Sequence, residues 1–324
     1  MRAYIIRRLL LLIPTLLIVS FMIYFMVQLI PGDIIDAMVE RFGEAIDRAE
    51  IERNLGLDAS IFIQYGRWMG FLPQIDGSYN GIFQGNLGVS WWTRVSVVRR
   101  VAIAWPVTLE LGLMGIIVAQ LIALPIGIFS ALRQDRWFDY IGRSFAILSI
   151  SIPSFWLATM VIVYPSIWWG SMPPVMLIHF AKNPLGNLKM FLVPAIILGM
   201  GMSGYTMRMT RTMMLEVLRQ DYIRTAWAKG LRERIVVLRH AVKNALIPVV
   251  TLIGLQLPVL LGGAVIIEKI FNLPGMGRLV FDAISNRDYP VVSGMMLIFG
   301  VFLMLVNLIV DITYAYLDPR IHYK

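Results

Sequence analysis

The run Val107–Leu132, VTLELGLMGIIVAQLIALPIGIFSAL, contains one ionisable side chain, Glu110. A helix needs about 20 apolar residues to cross the ~30 Å hydrocarbon core of a bilayer, and this run is longer than that. Five more segments read the same way: Leu9–Ile30, Ser144–Trp169, Phe191–Met207, Leu246–Ile267 and Val291–Tyr316. They leave no room for a separate soluble core in 324 residues that are 58% hydrophobic and 15% charged. Soluble domains run near half apolar and a quarter charged. The sequence therefore predicts an all-α, polytopic membrane protein with about six transmembrane helices.

The N-terminal run follows Arg7-Arg8 and spans 22 residues. It is too long for a secretory h-region, and Pro31-Gly32-Asp33 is no small-residue cleavage site, so it reads as the first membrane helix. Prolines inside or beside the spans (Pro14, Pro125, Pro153, Pro194, Pro248, Pro258) fit a packed, bent bundle, where neighbours can satisfy the freed backbone groups. The chain has no cysteine, which removes disulfides and thiolate metal sites.

The net charge of +9 is explained by where the basic residues fall. With the N-terminus inside, the inner segments hold 17 of the 29 Lys and Arg, nine of them between Arg208 and Lys243. Seven others lie in the long segment Pro31–Ala104 beside nine acids, and long loops hardly vote on orientation. Both termini are thus expected in the cytoplasm, and the charge calls for no nucleic acid.

Three connections carry pattern. Pro31–Ala104 holds a polar helix, Gly43–Asn54, ended by Gly56, then an aromatic-rich piece, Ile61–Leu72, then turns over Gly77–Ser90; it reads as a cap or docking surface outside the membrane. Glu268–Pro290 holds a tight turn at Leu273–Gly277 and a helix-like stretch, Arg278–Ile284. Met209–Asn244 places Met213, Met214, Val217 and Leu218 on one apolar face that Tyr222 and Ala226 continue. Gly230 interrupts, and a second helix starts at Ile235-Val236. A helix, a glycine-centred reversal and a second helix make a surface built to be touched, because glycine enters the left-handed region without a Cβ clash. A solvated amphipathic loop lying on anionic lipid fits the spacing equally well.

The stretches Asp221-Tyr222-Ile223-Arg224-Thr225-Ala226-Trp227-Ala228-Lys229-Gly230-Leu231, Leu238-Arg239-His240-Ala241 and Asn244-Ala245-Leu246-Ile247-Pro248 together resemble the EAA loop of ABC importer permeases, in the form of the dipeptide/oligopeptide/nickel branch. Ordered matches run through nearly the whole chain: Ile30-Pro31-Gly32-Asp33, Asn86-Leu87-Gly88-Val89-Ser90, Ser151-Ile152-Pro153-Ser154-Phe155-Trp156, Phe271–Arg278, Asp288-Tyr289-Pro290 and Asp318-Pro319-Arg320. Trp227, Thr225 and the Pro73–Gln84 piece depart from the family pattern.

The resemblance implies the type I importer transmembrane fold over residues 1–324, with 31–104 as an extracytoplasmic insert and 209–244 as a cytoplasmic coupling loop in a cell membrane. It implies a second homologous permease, two cytoplasmic ATPases and an extracytoplasmic substrate-binding protein as partners, with membrane lipid around them. The ATPase-coupling residues it implies are Asp221, Tyr222, Arg224, Thr225, Ala226, Lys229, Gly230 and His240. No cofactor is implied. No G-x-x-x-x-G-K-[ST] loop occurs in the chain, so ATP coupling by that route belongs to partners.

Other polar residues have competing readings. Glu110, placed some three residues into the second span, is a pathway candidate as an intramembrane carboxylate, or a carboxylate favoured by a helix N-terminus. Gln256 and Asn307, with Gln28 and Gln120, either line the pathway or join helices. Gly201-Met202-Ser203-Gly204 resembles a rhomboid-type serine motif, but its chemistry needs a histidine base within reach, and His179, His240 and His322 all lie outside the spans. Close helix packing by small residues explains the motif better.

Overall fold

The computed structural model describes residues 2–29, 34–36, 38, 47–171, 174 and 176–317. The motifs at Ile30–Asp33 and Asp318–Arg320, and the first part of the expected polar helix, lie outside those residues. The described chain is helical; its β pairing is an isolated antiparallel bridge, Val89 to Ser96.

In chain order the helices are α1 (Arg2–Gln28), α2 (Arg48–Leu55), α3 (Ile61–Met69), α4 (Val97–Leu132), α5 (Trp137–Ser151), α6 (Ser154–Trp169), α7 (Pro184–Leu218) and α8 (Asp221–Ala228). A turn at Glu233–Ile235, a π segment at Val236–Val242 and the helix Lys243–Ile270 then follow without a break, and form α9. Two more complete the set: α10 (Met276–Ser285) and α11 (Tyr289–Leu317). Among the described residues, five helices are long and apolar enough to cross a membrane, and the pair α5/α6, bent by 90°, makes a sixth if counted as one span.

Four of the expected spans differ from the observed helices, the fifth because α9 starts at Glu233, well before Leu246. The third is broken: Ile152 (φ −81°, ψ 119°) and Pro153 (φ −62°, ψ 129°) are extended, as the clash between a proline ring and the residue before it favours. The second and fourth are much longer than their apolar cores. α4 begins at Val97, ten residues before the apolar run, and α7 covers 35 residues, from Pro184 to Leu218. Hydropathy ends where charge begins, but Arg99, Arg100, Arg208 and Arg211 are compatible with continued helix.

The chain forms two compact units, 1–107 with 274–305 and 108–273 with 306–324. In the first, Val97, Ala104, Met276, Val291, Val292 and Met295 form a buried core. Asp47 caps α2 through its side chain, accepting from the Ala49 amide. A buried carboxylate, Asp288, holds the entry to α11: Ser90 Oγ and the Trp91 amide donate to it, the latter at 3.1 Å, and Arg100 Nη1 stands 3.6 Å away. Burial pushes the Asp288 carboxyl above the usual carboxylate range, against the pull of those donors and of Arg100.

In the second unit, α7 packs backbone to backbone on α4 and α5. A Cβ at Gly199 would lie 2.6 Å from the Gly115 carbonyl oxygen, and one at Gly204 would lie 2.7 Å from that of Ala146. Of the Gly201–Gly204 motif, Gly204 therefore contributes close packing, whereas a Cβ at Gly201 would meet nothing within 4 Å. Ser203 is fully buried and its Oγ donates to the Met200 carbonyl at 2.7 Å.

Candidate functional site

The connection from Met209 to Asn244 is folded rather than loose. α7 ends at Leu218, and α8 starts after Arg219-Gln220. That break resets the helical phase, so α8 buries Ile223 (0% exposed) and Ala226 (7%) while Tyr222 is 44% exposed. Tyr222 therefore does not continue the apolar face, as its spacing predicts. Met214, Val236, Val237, Ala241 and Ala131 complete the core beneath α8.

Gly230 then turns the chain at φ +74°, the left-handed conformation expected of it. A Cβ built there would meet no atom within 4 Å, so this chain demands glycine for its backbone angle and not for space. The second helix of the connection differs from expectation. It begins at Glu233 and runs through a π segment into the fifth span, because nothing between Ile235 and Leu246 breaks a helix. Asn244 Nδ2 donates to Tyr222 Oη at 3.0 Å and to the His240 carbonyl at 2.8 Å, tying α8 to α9.

Asp221, Tyr222, Arg224, Thr225, Lys229 and Gly230 thus share one exposed surface, His240 is half-buried beside it, and Ala226 belongs to the core. Trp227, the departure from the family pattern, is 42% exposed. Asp221 and Arg224 approach to 3.5 Å, but both are largely exposed, and such pairs contribute little. This surface gathers cations, an acid, aromatic faces and a backbone reversal without a nucleophile–base pair.

The support under this surface was not legible in the sequence. Arg211 donates from Nε and Nη2 to the two oxygens of Asp139, at 2.7 and 2.6 Å, across 72 positions of sequence. Ser130 Oγ and the Asp135 amide also donate to Asp139, which is fully buried. Arg211 reads in sequence as one of nine basic residues, and nothing local marks it as the paired one. Glu268, also buried, accepts from Thr108 Oγ1 at 2.6 Å and was missed for the same reason.

Among the described residues no hydrogen bond joins one pathway candidate, Glu110, Gln256 or Asn307, to another. Gln256 is buried and bridges α9 to α7, with Thr206 Oγ1 3.4 Å from its Oε1 and its Nε2 3.5 Å from the Met202 carbonyl. Asn307 is exposed. Glu110 is half-buried and lies 13 residues into α4, far from the helix N-terminus that was to favour it. Gln28 donates to Gln64 Oε1 at 3.2 Å.

A multi-span helical membrane protein with a folded polar contact surface between two of its spans is a class with known members. Residues 123–323 match the family described as the binding-protein-dependent transport system inner membrane component, and residues 1–112 match its N-terminal region. The chain belongs to this family, and so is a permease subunit of an ABC importer and not itself a catalyst. A peptide transport system permease protein of Brucella suis biovar 1 is 40% identical over the full length of both chains. A glutathione transport system permease protein of Salmonella typhimurium is 37% identical over 99% of each. A crystal structure of an amino acid ABC transporter superposes with a TM-score of 0.51 at 12% identity, covering 68% of this chain and 94% of that one; it shares the fold. A permease of a binding-protein-dependent system works with ATPase and substrate-binding partners.

Proposed function

We propose that this chain imports di- or oligopeptides as one of two homologous transmembrane subunits, driven by two cytoplasmic ATPases that seat on α8. The full-length similarity to relatives named for peptide and glutathione transport carries the substrate class. The exposed Asp221–Gly230 surface on an apolar foundation supports the seating: a partner that pushes on α8 pushes on a packed core joined to α7 and α9. Both termini and the 209–244 connection lie in the cytoplasm, a reading supported by the basic residues gathered there, and 31–104 lies outside.

Gly230→Val tests the coupling. Its φ penalises any L-residue by about 1–2 kcal/mol, but a Cβ there would meet no described atom within 4 Å, so insertion and expression should stay near wild type. Affinity recovery of the ATPases and peptide uptake should both fall to background. Equal recovery with equal uptake would mean that this surface lies on lipid. Because the chain has no cysteine, orientation is read separately: an impermeant thiol reagent should label Ser78→Cys and spare Gln134→Cys in intact cells, and the reverse pattern overturns it.

A further inference from the structure

The first unit carries an open cavity of about 470 Å³ lined by α1, the 54–94 stretch and the start of α11. Ligand pockets usually run ~300–1,000 Å³, so a small solute fits. Most of its polar wall is already engaged. Gln64 accepts from Tyr24 and Gln28 and donates to the Leu57 and Ala59 carbonyls, while Gln74 Nε2 donates to those of Arg67 and Asn80. The scaffold is therefore fixed before any ligand arrives.

What remains unengaged is charge. Arg67 and Arg94 both line the cavity, and among the described residues neither has an ion-pair partner. Arg67 Nε and Trp68 Nε1 are buried donors without an acceptor among the described residues. A guanidinium offers five donors and no acceptor, and its best complement is a planar carboxylate. Asp76 also lines the cavity, fully exposed; the Ser78 hydroxyl and amide donate to it and hold its carboxyl below the usual range, so it is an anion at neutral pH. Tyr24, Trp68 and Trp91 supply aromatic wall.

We infer that this cavity is a binding site for a small zwitterion, with its carboxylate on Arg67 and Arg94 and its ammonium toward Asp76. None of the residues that line it belongs to α8, and Glu110, Gln256 and Asn307 are not among them. The choice of short peptides as probe rests on the peptide reading above; the wall chemistry does not.

The test uses the full chain in phosphatidylcholine nanodiscs, titrated calorimetrically with Ala-Ala-Ala and with its C-terminal amide. The free acid should bind saturably and the amide about tenfold or more weakly, since a charge-assisted contact to a carboxylate is lost. Arg67→Gln should weaken the acid by a similar factor and leave the amide unchanged. Arg94→Gln, at an exposed position, should show the same acid-selective loss to a smaller degree and serves if Arg67→Gln does not fold. Equal affinity for acid and amide, an equal loss of both in the variants, or no saturable heat with the free acid overturns the site. Recovery of ATPases by the same preparations separates the two readings. ATPases recovered without peptide heat reject only the cavity, and peptide heat without ATPases rejects only the importer assembly.

Discussion

The 47–96 and 208–244 connections solve the same problem, giving a long polar segment one shape, with opposite materials. The first is held by side-chain amides and turns: Gln64, Gln74 and Gln84 each bond to backbone groups, and positive-φ glycines fall at 56, 70, 77, 85 and 88. The second is held by apolar side chains under α8, with Gly230 its one left-handed turn. Polar scaffolding spends its hydrogen bonds inward and leaves a lined hollow. Apolar scaffolding buries its methyl groups and leaves the charges facing out, where a partner can meet them. Each plan also has a buried aspartate, and these too differ: Asp139 is gripped by both ends of a guanidinium, whereas Asp288 relies on a hydroxyl and an amide with Arg100 at 3.6 Å.

The aspartates give the largest test of that contrast. Arg211→Ala strands a fully buried carboxylate and should cost about 3–5 kcal/mol, read as a collapse of the thermal midpoint in detergent. Arg100→Ala removes a partner that stands 3.6 Å away and leaves the Ser90 and Trp91 donors in place, so it should cost less, about 1 kcal/mol. Similar losses would erase the distinction between the two anchors.

Next in size is Ile223→Ala, which opens a hole under α8 and should cost about 3 kcal/mol with recovery of ATPases falling in parallel. A stability loss near zero would show that α8 is not held by its core. The glycines sharpen the comparison further. A Cβ at Gly70 would sit 2.0 Å from Gln84 Oε1, so Gly70→Ala must break both Gln84 hydrogen bonds as well as strain φ, about 3 kcal/mol together. Gly230→Ala carries the strain alone, about 1 kcal/mol. Equal costs would mean that Gln84 does not brace the first connection.

The smallest effect is one of pH. Asp288 has a folded carboxyl value raised above its unfolded one, so the folded state holds the proton more tightly. Its contribution is present below the ordinary carboxylate value and is lost as pH rises through the raised one. Stability of the wild type should therefore decline across that mildly acidic window more than that of Asp288→Asn, whose profile should be flatter when thermal midpoints are compared. Parallel profiles would count against burial as the governing influence on this carboxyl.

The membrane helices were legible because a bilayer permits little besides long apolar runs, and Gly230 was legible because a reversal between two helical patterns leaves few backbone options. The break at Pro153 was not. Pro14, Pro165, Pro194, Pro248 and Pro258 all sit inside continuous helices, so whether a proline bends or severs a helix depends on neighbours that sequence does not name. The inward choice of Ile223 over Tyr222 followed from the phase reset at Arg219-Gln220, a two-residue event invisible to periodicity. Nothing in the aromatic-rich piece Ile61–Leu72 marks Arg67, because a cavity is a property of what surrounds a residue.

One feature of α9 has a mechanical meaning. The 38 residues from Glu233 to Ile270 follow one helical path, about 57 Å at 1.5 Å per residue, and the seven-residue π segment lies where it leaves the connection. A π turn is an α-helix carrying a surplus residue. Deleting one residue between Val236 and Val242 would let that stretch relax to ordinary pitch and rotate everything beyond it by about 100° relative to α8. The segment is in this sense a phase shifter. It sets which faces of the fifth span are presented for a given position of α8, so the gain or loss of one residue here would line that span differently.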